Sequence, residues 1–259
     1  MDLHLRGKSA LITGASKGIG AAIAEALAEE GCHLHLAART TDALNATAQR
    51  LRSKHQVNVT VHTVDLRKRD DLASLIDSAP DVDILVNNAG DIPGGSLERI
   101  DDATWRHAWD LKVFGFINLT RLFYARMKTR GHGVIINIIG AAGERVDANY
   151  IVGSAGNASL MAFTRALGGA SLKDHIRVVG INPGPVATDR ITALMKRQAL
   201  ARYNDESRYP EMMAQFPLGR AAKPREIADM AAFLASERSA YTSGVIITID
   251  GGICASGGF

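Results

Sequence analysis

Eight residues, Thr13-Gly14-Ala15-Ser16-Lys17-Gly18-Ile19-Gly20, constrain this chain more than any other stretch. An apolar run from Ser9 to Ile12 feeds them, and a helical pattern with Ile19, Ile23, Ala26 and Leu27 on one face leaves them, up to Glu30. Strand, glycine turn and helix in that order build an anion site. The glycines permit positive φ and close backbone approach, and the first helical turn points its positive dipole end at the same charge. A dinucleotide pyrophosphate fits there. The same residues could also form a plain structural turn, so the rest of the chain decides between the two.

Alternation of strand and helix patterns continues to the end. Cys32 to Ala37 reads as a second strand, Asp42 to about Lys54 as a helix, and Val57 to Val64 as a third strand closed by Asp65. A helix over Asp70 to Ser78 precedes a short fourth strand, Val82 to Val86, that runs into Asn87-Asn88-Ala89-Gly90. One long helix is predicted from Asp102 to Thr129, a fifth strand from Val134 to Ile139, and a Gly, Ala and Ser-rich helix from Asn149 to Leu172. His175 to Ile181 makes a sixth strand broken by Pro183-Gly184-Pro185, and Pro224 to Leu234 is a helix before a last strand, Val245 to Ile249. The pattern predicts a single α/β domain over 1–259, a Rossmann-type doubly wound parallel sheet of about seven strands. In such sheets ligands lie beyond the carboxyl ends of the strands, where strand order reverses. The glycine turn and the polar clusters all fall at those ends.

Composition narrows the function. The 30 basic and 27 acidic residues are spread along the chain, so the net charge of +3 describes no basic face and nucleic acid is not an expected partner. The polar N-terminus and the lack of a long apolar run predict a soluble protein without a membrane span. Cys32 and Cys254 form no metal pattern and read as reduced thiols, which suits a cytoplasmic setting. The eight histidines are scattered without metal spacing, so no metal is expected.

The glycine turn, Asp65, Asn87-Asn88-Ala89-Gly90, Tyr150 and Asn182-Pro183-Gly184, in this order, resemble the short-chain dehydrogenase/reductase family over nearly the whole chain. That resemblance implies a nicotinamide cofactor and commonly a homodimer or homotetramer. It implies that Gly14, Ser16, Gly18, Ile19 and Gly20 line the pyrophosphate, that Asp65 and Leu66 flank the adenine, and that Asn88, Ala89 and Gly90 form the adjacent wall. Pro183, Gly184, Val186 and Thr188 would hold the nicotinamide carboxamide. NADP(H) is expected over NAD(H), because Ala37-Ala38 offers a ribose 2′-hydroxyl no carboxylate, while Arg39, Lys17 and Thr40 offer a 2′-phosphate charge and donors.

The catalytic positions depart from the family pattern. Tyr150 keeps the family tyrosine, but Ser154 stands where its lysine is expected, Gly140 where its serine is expected, and Lys112 where its asparagine is expected. In the family the tyrosine gives a proton to the carbonyl oxygen, the serine holds that oxygen, and the lysine acidifies the phenol and fastens the ribose. Lys112 emerges beside Trp105, Ala108, Trp109 and Phe116, so its ammonium needs a polar partner or loses its proton. The expectation is that Lys112 brings its charge to Tyr150 in place of the absent lysine. Glu144, Arg145 and Asp147 are loop charges near the same end, and the apolar residues between Val186 and Leu218 suggest a lid at about 186–218 over a partly apolar substrate. The expected activity is NADP(H)-dependent hydride transfer with a carbonyl or secondary alcohol. The alternative is a catalytically impaired protein of the same fold that binds NADP(H) as a sensor or assembly partner.

Overall fold

In the computed structural model, which describes residues 1–256, the apolar runs pair into one parallel sheet. Its strands are β1 (Ser9–Thr13), β2 (His33–Ala38), β3 (Val59–Thr63), β4 (Ile84–Asn87), β5 (Gly133–Ile138), β6 (Ile176–Pro183) and β7 (Ile246–Ile249). They lie in the order β3-β2-β1-β4-β5-β6-β7. Ala10 of β1 registers with Leu34 on one side and Ile84 on the other, so the chain reverses its direction of winding between β1 and β4. That reversal opens a crevice at the carboxyl ends of these two strands.

Helices cover both faces, as the nearly continuous burial of the strands demands. On one face α1 (Gly18–Glu29), α2 (Thr41–Lys54) and α9 (Pro224–Ala235) bury Ile23, Leu27, Leu44, Leu51, Ile227 and Leu234 against the sheet. On the other, α3 (Arg69–Ser78) and α5 (Gly115–Arg130) bury Leu72, Leu75, Leu119, Phe123 and Met127. The small residues of α6 (Ile151–Ser171) serve close packing within the chain. A side chain at Gly168 would stand 2.3 Å from the Gly244 nitrogen, and one at Gly156 would stand 3.2 Å from Trp109 Nε1.

The single helix expected over 102–129 is interrupted. α4 (Asp102–Trp109), capped by Asp101, gives way to a π-helical turn, Asp110–Phe114, before α5 begins. Apolar periodicity cannot show this, because one wide turn rotates the following face by only a fraction of a turn. Lys112 lies within it. Over the expected lid the chain forms α7 (Asp189–Tyr203) and α8 (Tyr209–Met213), with Met195 and Ala199 buried. Among the described residues no helix is long and apolar enough to cross a membrane.

Candidate active site

The crevice is built first by backbone. Gly14 and Gly18 adopt φ of 65° and 59°, and a side chain on Gly20 would stand 2.3 Å from the Gly14 oxygen. Only glycine lets α1 start this close to β1. Thr13 ties the two strand ends together, its hydroxyl accepting from the backbone nitrogens of Asn88 and Ala89 at 2.9 and 3.0 Å. Asn88 Nδ2 returns a bond to the Thr13 oxygen at 2.9 Å. At the start of α1 no side chain caps the helix and its first turn holds no acidic residue, so its free N–H groups and dipole are left for an outside anion. This cradle fits a pyrophosphate.

The other residues that the resemblance assigns to a dinucleotide lie around it. Val186 is buried, Thr188 begins α7, and the Thr188 methyl faces Gly18 at 3.3 Å from where a side chain there would start. Gly184 packs under Asp250 and donates to the Ile249 oxygen at 2.9 Å, which fixes the path of the segment after Pro183. Lys17 Nζ lies 3.9 Å from Asp189 across the same gap, both exposed. Arg39 and Thr40 follow directly on β2, with Arg39 exposed and close enough to Asp65 to help hold its carboxyl below the usual range. The larger cause is Arg67, whose Nε donates to Asp65 at 2.8 Å. Leu66 is buried beside it.

Tyr150 sits at the N-cap of α6 with its ring folded over Gly153, where an added side chain would stand 2.0 Å from ring Cε1. Its hydroxyl accepts from Arg190 Nη2 at 3.3 Å, and the same Nη2 donates to the Ile92 oxygen at 2.5 Å. Burial holds the phenol's pKa above its ordinary value, and the Arg190 charge and hydrogen bond offset only part of that rise. The cation bonded to the phenol is therefore Arg190, from the first turn of α7, and not the expected Lys112. Sequence reasoning passed over Arg190 because the contact spans 40 residues and joins the lid to the body.

Lys112 takes another place. Its stem crosses Gly90, where a side chain would stand 2.9 Å from Cδ, and its ammonium donates to the Ile139 oxygen at 2.5 Å. Burial, with Arg190 nearby, lowers its pKa to about 7. Ser154 is not turned to the phenol: its hydroxyl accepts from the Asp147 nitrogen at 3.0 Å and donates to the Asp147 oxygen at 3.3 Å. Asp147 in turn accepts from the Tyr150 nitrogen at 3.0 Å, so Ser154 braces the loop that delivers the tyrosine.

At the end of β5, Gly140 has a φ of 140° and donates to Asn182 Oδ1 at 3.3 Å. Glu144 accepts from Asn182 Nδ2 and from the Thr248 hydroxyl at 3.0 and 2.8 Å, which binds the following loop to β6 and β7. Arg145 and Asp147 are exposed in that loop. Burial raises the Cys32 and Cys254 thiols to about 12 and about 11, so neither is a ready nucleophile.

A family model described as enoyl-(acyl carrier protein) reductase matches residues 14–254. Galactitol 2-dehydrogenase (L-tagatose-forming) of Cereibacter sphaeroides is 32% identical over 251 residues, 96% of each chain. The chain belongs to the short-chain dehydrogenase/reductase family. Among solved members of that family, L-sorbose reductase from Gluconobacter frateurii, complexed with NADPH and L-sorbose, matches at a TM-score of 0.92 and 33% identity, covering 99% of this chain and 100% of that one. A 7α-hydroxysteroid dehydrogenase complexed with NADH matches at a TM-score of 0.86 and 30% identity, covering 97% of this chain and 96% of that one. This short-chain dehydrogenase/reductase thus has an NAD(P) enzyme's fold and carries Arg190 against the Tyr150 phenol.

Proposed function

We propose that the protein is an NADP(H)-dependent oxidoreductase acting on a small carbonyl or secondary alcohol, with Tyr150 as proton donor and acceptor. The observation that carries this reading is the Arg190 hydrogen bond to the Tyr150 hydroxyl, which puts a positive charge on a phenol whose expected lysine is Ser154. A nicotinamide dinucleotide in the Gly14–Gly20 cradle would supply hydride to the carbonyl carbon, or take it back. Tyr150 gives its proton to the oxygen in reduction and removes it in oxidation. Arg190 stabilises the phenolate that results.

Lys112 adds a second cation at the floor of the site, and with a pKa near 7 it can hold or release a proton at working pH. Ser154 acts by positioning the Tyr150 loop. Gly14, Ser16, Lys17, Gly18, Ile19 and Gly20 receive the pyrophosphate, and the segment from Pro183 to Thr188 receives the carboxamide end. Arg39, unpaired by any salt bridge among the described residues, supports NADP(H), since it directly follows β2 and no carboxylate ends that strand. The exposed Leu194 and Leu200 of α7 favour a substrate with some apolar surface. Exposed Phe114 and Leu122 favour assembly as a homodimer or homotetramer, and two free cysteines suit the cytoplasm.

Two measurements test the reading. Fluorescence titration should show NADPH binding more tightly than NADH, with the difference lost in Arg39→Ala. Absorbance at the nicotinamide band should then show turnover within a panel of ketoses, polyols and apolar ketones. Binding without turnover across that panel favours the alternative, a nucleotide-binding protein without catalysis.

A further inference from the structure

A polar side chain in a packed wall is costly unless something answers it. Asn157, on the inward face of α6, is 2% exposed and its Oδ1 has no hydrogen-bond partner. Two other buried side-chain atoms share that state, Asn87 Oδ1 and Arg130 Nε, but both of those residues are bonded through their other nitrogens. For Asn157, no side-chain hydrogen bond is found among the described residues. Its position gives the vacancy a meaning. Asn157 Nδ2 lies 2.9 Å from the point where a side chain on Gly140 would begin. Gly140 lies two residues beyond the end of β5, directly after the Ile139 carbonyl that takes the Lys112 ammonium. Asn157 is also seven residues, two helical turns, beyond Tyr150, on the same side of the helix.

We propose that the Asn157 carboxamide, filling the gap left by the bare Gly140, holds the oxygen of the substrate's reacting carbon. This rests on the oxidoreductase reading above and names the group that completes it. A carboxamide carries a donor and an acceptor on one rigid plane. In reduction Nδ2 donates to the carbonyl oxygen while Tyr150 delivers the proton. In oxidation Nδ2 donates to the same oxygen, which leaves the hydroxyl proton directed at Tyr150 and fixes the carbinol hydrogen. The amide is neutral, so it leaves the charge balance of Arg190, Lys112 and the phenol untouched. Nδ2, already held in place before substrate arrives, needs no reorganisation when charge develops on the oxygen, and the buried Oδ1 left without a partner is a cost in stability that the fold carries at this position.

The near-isosteric Asn157→Leu separates this from a packing role. The expected result is a thermal midpoint equal to or above wild type, an NADPH dissociation constant within about twofold of wild type, and kcat/KM lowered about 10²-fold. Asn157→Ala, which adds no bulk, is read in the same way if leucine does not fit. Unchanged kcat/KM in both Asn157 variants overturns the assignment. So does a lowered midpoint with parallel loss of NADPH binding, which marks a structural residue. Wild-type protein that binds NADPH but turns over no carbonyl or alcohol overturns the oxidoreductase reading as well, and is seen before any variant is made.

Discussion

Tyr150 is the residue on which the proposed chemistry turns, and its placement depends on an absent side chain. Its ring occupies the space above Gly153, and the Cβ of an alanine there would lie 2.0 Å from Cε1. Gly153→Ala is therefore expected to swing the ring away and lower kcat by about 10²-fold, since small misplacements of a reacting group are costly. The NADPH dissociation constant should stay within about twofold, which fluorescence titration checks. Tyr150→Phe should lower kcat by about 10²-fold to 10⁴-fold without loss of thermal midpoint. The glycines of the turn were legible from local geometry, and Tyr150 was singled out by its match to the family tyrosine. Arg190 and Asn157 were not, because a lid arginine and a helix asparagine acquire meaning only when folding sets them beside Tyr150 and Gly140.

At the scale of elements, strands and helices followed from periodicity to within a residue or two, and the π-turn at 110–114 did not, since it leaves the apolar pattern on either side intact. Two element junctions carry further expectations. Arg177 of β6 is buried and caps the end of α9, donating to the oxygens of Leu234, Ala235 and Ser236 at 2.7, 3.3 and 3.0 Å. Arg177→Met strands those carbonyls, and should destabilise the protein by about 2 to 4 kcal/mol in a urea titration. His35 of β2 and His62 of β3 share a hydrogen bond at 2.9 Å, and burial, then the neighbouring ring, lowers His62 to about 4. Burial lowers His35 as well. The unfolded chain, whose histidines titrate near 6.5, binds more protons than the folded one between about pH 6.5 and 4, so stability should fall as pH falls through that window. Glu25, held at about 2 through hydrogen bonds to Lys54, His55 and Arg50 that outweigh its burial, contributes its loss lower, between about pH 4.5 and 2. His62→Asn should flatten the thermal midpoint between pH 6.5 and 4.5 and leave the lower limb unchanged.

In the whole molecule the glycine turn, the phenol and the lid meet at one edge of the sheet. Thr188 faces Gly18, Asp189 faces Lys17, and Arg190 reaches over to the Ile92 oxygen and the Tyr150 hydroxyl. The cation bonded to the phenol thus sits on α7, so under the proposed mechanism the proton relay is complete only while α7 lies against the body. On the proposed mechanism, this is how a chain with Ser154 in the lysine's place would keep its tyrosine in use. It also explains why motif spacing alone pointed to Lys112: spacing along α4 and α5 is local, and the α7 contact is made by tertiary structure. The most direct measurement is the pH dependence of kcat/KM for alcohol oxidation, where Tyr150 must be deprotonated, in wild type and in Arg190→Gln. The rising limb of the variant should move to higher pH by about one unit or more. Superimposable limbs would show that Arg190 does not tune the phenol.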